Sequence, residues 1–160
     1  MLPLLLALGV VVAANAAPLI ATSALGQRFT LPVDLGCRFA DGERLFGPAK
    51  TVRGILAAVL FGGLAALALG IPPALGALAG LAAMCGDLVS SFVKRRLGMA
   101  SSSRFLGVDQ IPEALFPVLV LAPHLGYGLA GGIAVVAAFA VLSPPASWLL
   151  HHLKVRQQPY

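Results

Sequence analysis

Charge is what this chain has least of. Asp, Glu, Lys and Arg make up 11% of its 160 residues, 59% are hydrophobic, and the mean hydropathy is +0.93. Soluble domains carry about 25% charged and roughly 45–50% apolar residues, so a water-exposed globular fold is excluded. The bilayer is the solvent that fits.

Other absences narrow the reading further. No basic residue precedes Arg28, which removes the n-region of a signal peptide, although Ala14-Asn15-Ala16 resembles a cleavage site. There are only two cysteines, Cys37 on the expected cytosolic side and Cys85 inside an expected span, so neither a disulfide nor a thiolate metal site is predicted. There is no P-loop, no Gly-x-Gly-x-x-Gly after a strand, no legible Ser/His/Asp arrangement and no internal repeat. His124 and the pair His151-His152 fall where membrane boundaries are expected. No nucleic-acid partner is expected.

The stretches 1–27, 54–86 and 114–150 contain no charged side chain. One span needs ~20 apolar residues, and a helix over 54–86 would rise ~50 Å against a hydrocarbon core of ~30 Å. The last two stretches must therefore fold back. Gly70-Ile71-Pro72-Pro73 and Pro123-His124-Leu125-Gly126-Tyr127-Gly128 supply the breaks.

The expectation is an all-α integral membrane protein, a single domain over 1–160 with five spans near 2–24, 54–71, 74–93, 111–125 and 129–150. The fourth span is short and holds Pro112, Pro117 and Pro123, which leaves a four-span alternative that would export the C-terminal tail. Gly76/Gly80 and Gly128/Gly132 are small-xxx-small pairs suited to close helix approach.

All eleven cations then fall on one side. Arg28, Arg38, Arg44, Lys50 and Arg53 lie in loop 25–53, Lys94, Arg95, Arg96 and Arg104 in loop 94–110, and Lys154 and Arg156 in the tail. The positive-inside rule makes that side cytoplasmic and the N-terminus external. The protein is thus expected in the cytoplasmic membrane with a charged cavity facing the cytoplasm. Asp34, Asp41, Glu43, Asp87, Asp109 and Glu113 gather there too, which orientation alone does not require.

Asp87 stands about two turns inside the third span, on one helical face with Ser90, Ser91 and Lys94. A carboxylate at that depth is costly and faces a partner or a cavity. A structural ion pair with Lys94 or a loop arginine is the plainer account, and Lys94-Arg95-Arg96 alone reads as an orientation signal. Asp109 has a plain account as an N-cap, with Pro112 in the first turn and Glu113 facing the helix dipole. Yet Asp109 and Glu113, four apart, share a face at the depth of Asp87, and convergent carboxylates suit Mg²⁺ held together with substrate phosphates. Arg44, Lys50 and Arg53 of the first loop suit a polyphosphate, with Thr51 and the N–H groups at the start of the second span as further anion donors. A solvated basic loop is their plain alternative.

Taken in order, Asn15-Ala16-Ala17-Pro18, Pro32-Val33-Asp34-Leu35-Gly36, Arg44-Leu45-Phe46-Gly47, Lys50-Thr51-Val52-Arg53-Gly54, Gly86-Asp87, Ser91-Phe92-Val93-Lys94-Arg95-Arg96-Leu97-Gly98 and Asp109-Gln110 resemble the CDP-archaeol synthase family over essentially the whole chain. The resemblance implies five transmembrane helices, a charged cytoplasmic cavity, Mg²⁺, and transfer of CMP from CTP to a lipid phosphate with release of pyrophosphate. The chain departs from the expected family pattern at Pro112, where a second Asp would stand, with Glu113 following.

On that basis Asp87, Asp109, Lys94 and Lys50 are the expected catalytic residues and Asp87, Asp109 and Glu113 the metal ligands. Arg44, Thr51, Arg53, Ser91, Arg95, Arg96, Asp34 and Asp41 are the expected substrate contacts. A membrane scaffold and a small transporter are the competing classes. The scaffold would leave Asp87 and Asp109 unexplained, and the transporter needs polar groups at depths where these spans have almost none. Apolar walls discriminate lipid chains poorly, so the acceptor stays open between ether- and ester-linked lipid phosphates.

Overall fold

The computed structural model describes residues 1–152 apart from 102, 104 and 106, with side chains described up to 146. Arg104, Lys154 and Arg156, assigned above to the inner side, lie outside the described residues, as do the side chains of His151 and His152. Five helices follow one another: α1 (Leu2–Leu25), α2 (Val52–Ala68), α3 (Pro73–Arg96), α4 (Gln110–Leu125) and α5 (Gly128–His152). α1, α3 and α5 are long and apolar enough to cross a membrane, while α2 and α4 are shorter apolar helices of 17 and 16 residues.

Local chemistry sets the ends. The hydroxyl of Thr51 accepts from the Gly54 N–H and caps α2, so the helix starts before the expected residue 54. Gly70, at φ 73°, closes the α2–α3 turn in a conformation that L-residues avoid. α3 runs through Arg96 rather than stopping at 93, which makes Lys94, Arg95 and Arg96 helical and fixes their directions.

Small residues let the helices touch backbone to backbone. A Cβ on Gly76 would fall on the Gly62 carbonyl, and one on Gly80 on the Ala58 carbonyl, so the Gly76/Gly80 pair does serve the α2–α3 contact. Of the second pair, Gly132 packs by Val118 and Tyr127, whereas Gly128, at φ 58°, opens α5 instead. Ala7, Val10 and Val11 of α1 pack with Val118 and Leu121 of α4 and Val135 and Phe139 of α5. Ala14, Ala58, Ala83 and Met84 join α1, α2 and α3 nearer the charged end.

Loop 26–51 is folded by its own hydrogen bonds. Val33 N–H donates to the Lys50 carbonyl (2.8 Å), Val52 N–H to Leu31 (3.0 Å) and Leu45 N–H to Cys37 (3.1 Å). Its hub is Asp34, whose side chain is fully buried. That carboxylate accepts from the N–H groups of Gly36 (3.0 Å), Phe46 (3.2 Å) and Gly47 (2.9 Å) and pairs with both donors of Arg44.

Burial alone would raise the Asp34 pKa, but the Arg44 guanidinium and the three N–H donors outweigh it and hold the carboxyl well below the usual range. Its stabilising effect is therefore complete above the ordinary Asp value and is lost as pH falls below that value through the folded one. Asp34→Asn is expected to cost about 2–3 kcal/mol at pH 7, because a buried, hydrogen-bonded charge is removed while Arg44 keeps some water. Thermal melts in detergent check this: the gap between variant and wild type should narrow on acidification below about pH 4.

Candidate active site

The C-terminal ends of α1 and α3 and the N-terminal ends of α2 and α4 meet on one side of the bundle. Lys50, held by its carbonyl one residue before the α2 cap, places Nζ 2.6 Å from both carboxylate oxygens of Asp87 on α3. Gly86 lies flat against α4, where any Cβ would overlap the Pro112 carbonyl. That approach sets the Glu113 carboxyl beside Asp87. Burial pulls the Lys50 ammonium down, but the Asp87 and Glu113 carboxylates outweigh it, and its pKa lies above the ordinary lysine value. Lys50 is a permanent cation here.

A second pair lies farther along α3. Lys94 reaches Asp109 (2.7 Å) and the Ser103 carbonyl (2.9 Å), and Asp109 accepts from the Phe105 N–H (2.8 Å). Asp109 occupies the N-cap position of α4 without making a cap bond, so the plain N-cap account does not hold. Arg95 is 8% exposed and, among the described residues, has no acidic partner; its Nε is buried without a hydrogen-bond acceptor. One turn back, the buried Ser91 hydroxyl also lacks a partner among the described residues.

Lys50, Thr51, Gly54 and Asp87 line a cavity of about 170 Å³. Its apolar walls come from Pro18 and Leu19 of α1, Ile55 of α2 and Met84 and Leu88 of α3, with Thr22 at the α1 end. The α2 N-terminus thus contributes its partial positive charge to the same space as Lys50.

The expected site residues divide into three groups. Lys50, Thr51 and Asp87 line the cavity, with Glu113 against Asp87, and Ser91, Lys94, Arg95 and Asp109 continue from it along α3 and into α4. Asp34, Asp41, Arg44 and Arg96 instead partner one another. Arg96 lies 3.1 Å from Asp41, donates to the Arg44 carbonyl (2.9 Å) and is flanked by the Phe39 and Phe92 rings at 4.8 and 4.9 Å. Arg53 donates to the carbonyls of Gly26 and Arg28 and to the Thr22 hydroxyl, closing the end of α1. Each of these five residues makes at least one bond that organises the loop, while Arg53 Nε and Arg96 Nη1 are buried without a hydrogen-bond partner among the described residues.

The expected metal triad is also rearranged: Asp87 meets Glu113, while Asp109 is turned to Lys94. Among the described residues no three Asp, Glu, His or Cys side chains converge as a metal cage. The sequence reading did not anticipate that α1 lines the cavity. The polar Thr22 and the proline at 18, unusual within an apolar helix, were its signal.

Comparison with known proteins bears on what such a site belongs to. A family model described as CarS-like, CDP-archaeol synthase, matches residues 4–143. The CDP-archaeol synthase of Sulfurisphaera tokodaii is 33% identical over 137 residues, 81% of each chain. That of Methanopyrus kandleri is 34% identical over 139 residues, 81% of this chain and 79% of its own. A solved structure of an intramembrane enzyme for archaeal membrane lipid biosynthesis superposes with a TM-score of 0.72 at 35% identity, covering 88% of this chain and 90% of that one. Residues, helices and likeness agree, and the chain belongs to the CDP-archaeol synthase family of membrane cytidylyltransferases.

Proposed function

We propose that this enzyme transfers CMP from CTP to a membrane lipid phosphate, giving a CDP-lipid of the CDP-archaeol kind and pyrophosphate. The observation that carries the reading is the cavity in which a charged floor, Lys50 and Asp87 at the α2 N-terminus, adjoins apolar walls from three membrane helices. An anionic headgroup on an apolar tail is the ligand with that polarity. The described Lys and Arg side chains all lie at this end of the bundle, and the described turns at the other end, 69–72 and 126–127, hold none, which supports a site facing the cytoplasm.

In the reaction a lipid phosphate oxygen forms a bond to the α-phosphorus of CTP while the bond from that phosphorus to the β-phosphate bridging oxygen breaks, and pyrophosphate leaves with the electron pair. Lys50 and the α2 N–H groups hold one phosphate. Arg95, a buried cation without an acidic partner among the described residues, and the Ser91 hydroxyl offer donors to another, with Lys94 alongside. In a water-poor site such fixed donors stabilise developing charge more than solvent does. In-line positioning supplies the rest.

Asp87 and Glu113 fit Mg²⁺: two neighbouring hard oxygen donors favour a proton or cation beside them, and the Lys50 ammonium already pairs with Asp87. Magnesium takes one or two carboxylates together with substrate phosphates, and when bound it would neutralise phosphate charge and polarise the phosphoryl group under attack.

The test is CMP transfer from radiolabelled CTP by purified protein in detergent with Mg²⁺, offering ether- and ester-linked lipid phosphates side by side. Labelled CDP-lipid is expected, with the ether-linked acceptor preferred. Folded protein that labels neither acceptor overturns the reading.

A further inference from the structure

Asn15 is part of the motif that opens the family resemblance, yet it lies on α1, outside the cavity lining and outside both ion pairs. Its surroundings give it a task. In an α-helix the N–H of residue i serves the carbonyl of residue i−4, and proline has no N–H. Pro117 therefore leaves the Glu113 carbonyl without its helical donor. In a membrane interior no water replaces it, so a neighbouring helix must.

The Asn15 amide is that neighbour. Nδ2 donates to the Val11 carbonyl of its own helix (2.9 Å) and reaches the Glu113 carbonyl across the α1–α4 contact at 3.4 Å. Both partners are acceptors, so only the NH₂ end of the amide can face them, and its two hydrogens match the two carbonyls. The residue whose backbone is held in this way is the one whose carboxyl meets Asp87. Pro117 is itself fully buried, so the break in the ladder is fixed in place.

We infer that Asn15 is a positioning residue: its side-chain amide replaces the hydrogen bond that Pro117 removes from Glu113, and so sets where the Glu113 carboxyl stands against Asp87. Gly86 sets the distance between α3 and α4 at the same level, and Asn15 sets the rotation and height of the first turn of α4. The inference rests on the reading of Asp87 and Glu113 as part of the site.

The experiment is a mutant cycle in which the missing donor is given back to the backbone. N15A is expected to lower kcat for CMP transfer by about 10- to 100-fold, the loss typical when a support of a site residue is removed, with KM for CTP changed less than about threefold. P117A restores an N–H at position 117, and N15A/P117A should come within about threefold of P117A alone. The same non-additivity should appear in thermal midpoints in detergent, a readout independent of turnover. If N15A does not fold, N15L, similar in size and without donors, takes its place in the cycle.

A double variant as impaired as N15A overturns the inference, as does an N15A enzyme with unchanged kcat. E113Q separates the two layers. Full activity in E113Q, with coupling kept in the midpoints, overturns the positioning role by removing the residue positioned, and shows that the site reading failed rather than the hydrogen bond.

Discussion

Asp87→Asn is expected to lower CMP transfer by roughly 10³-fold or more, the scale of losing a charged group that acts in the transition state, while the protein still inserts and elutes as a single species from detergent. Asn keeps the shape and loses the charge. Either its Nδ2 faces the Lys50 ammonium, donor against donor, or its one oxygen accepts where two oxygens at 2.6 Å did before. Lys50 is then left as a largely buried cation, its side chain 24% exposed. Leaving that cation without its carboxylate also lowers the melting point, so activity is compared at a temperature where both proteins are folded. Turnover within tenfold of wild type, in protein of unchanged circular dichroism, removes Asp87 from the mechanism.

Gly86→Ala is expected to damage both stability and activity, against what helix propensity alone predicts. Alanine gains about 1 kcal/mol over glycine inside a helix. Here the added methyl meets backbone, the Pro112 carbonyl and, at 2.8 Å, the Glu113 nitrogen. Backbone cannot rotate away, so α3 and α4 must part, at about 1–3 kcal/mol or more for an overpacked contact. Strain outweighs propensity, and parting the helices by about 1 Å draws Glu113 from Asp87 and costs about 10²-fold in rate. Gly9→Ala is the matched control, because its methyl meets only the end of the Leu69 side chain at 3.1 Å, which can turn aside. Melting and CMP transfer for the two variants decide the matter: equal behaviour would mean that the α3–α4 approach tolerates a methyl group.

The five helices were legible because charge-free runs ended at Gly-Pro breaks, and a bilayer allows few other ways to fold such runs. Element ends were less so. Thr51 was read as a phosphate contact, and its capping of α2 was not anticipated. That Asp87 would be paired was legible because a carboxylate at depth must find a cation, although the expected partners were Lys94 or a loop arginine and the structure supplies Lys50. The loop arginines were not legible, since Arg44, Arg53 and Arg96 look alike in sequence and differ only in which carboxylate or carbonyl the fold sets before them. Asp109 illustrates a further limit. Its backbone is already helical (φ −76°, ψ −53°), so the spacing to Glu113 holds, but Lys94 and the Phe105 N–H engage its carboxylate, which no count along the sequence shows. The Asp34-Leu35-Gly36 turn, by contrast, was a readable sign of an Asx turn, and a loop hub was the better inference from it.

The clamp of Arg96 between Phe39 and Phe92 also orders events in time. Loop 26–51 leaves the ribosome well before the helix that fastens it, since Arg96 trails Arg44 by 52 residues. At about 5–20 residues per second the loop waits roughly 3–10 s for its clasp. For most of that interval Lys50 has no Asp87, 37 residues downstream of it, and the Phe39 ring has neither Phe92 nor Arg96. A nascent chain halted before α3 is therefore an open, cationic stub, and nucleotide chemistry begins only when the third and fourth helices have been laid into the membrane beside the first two.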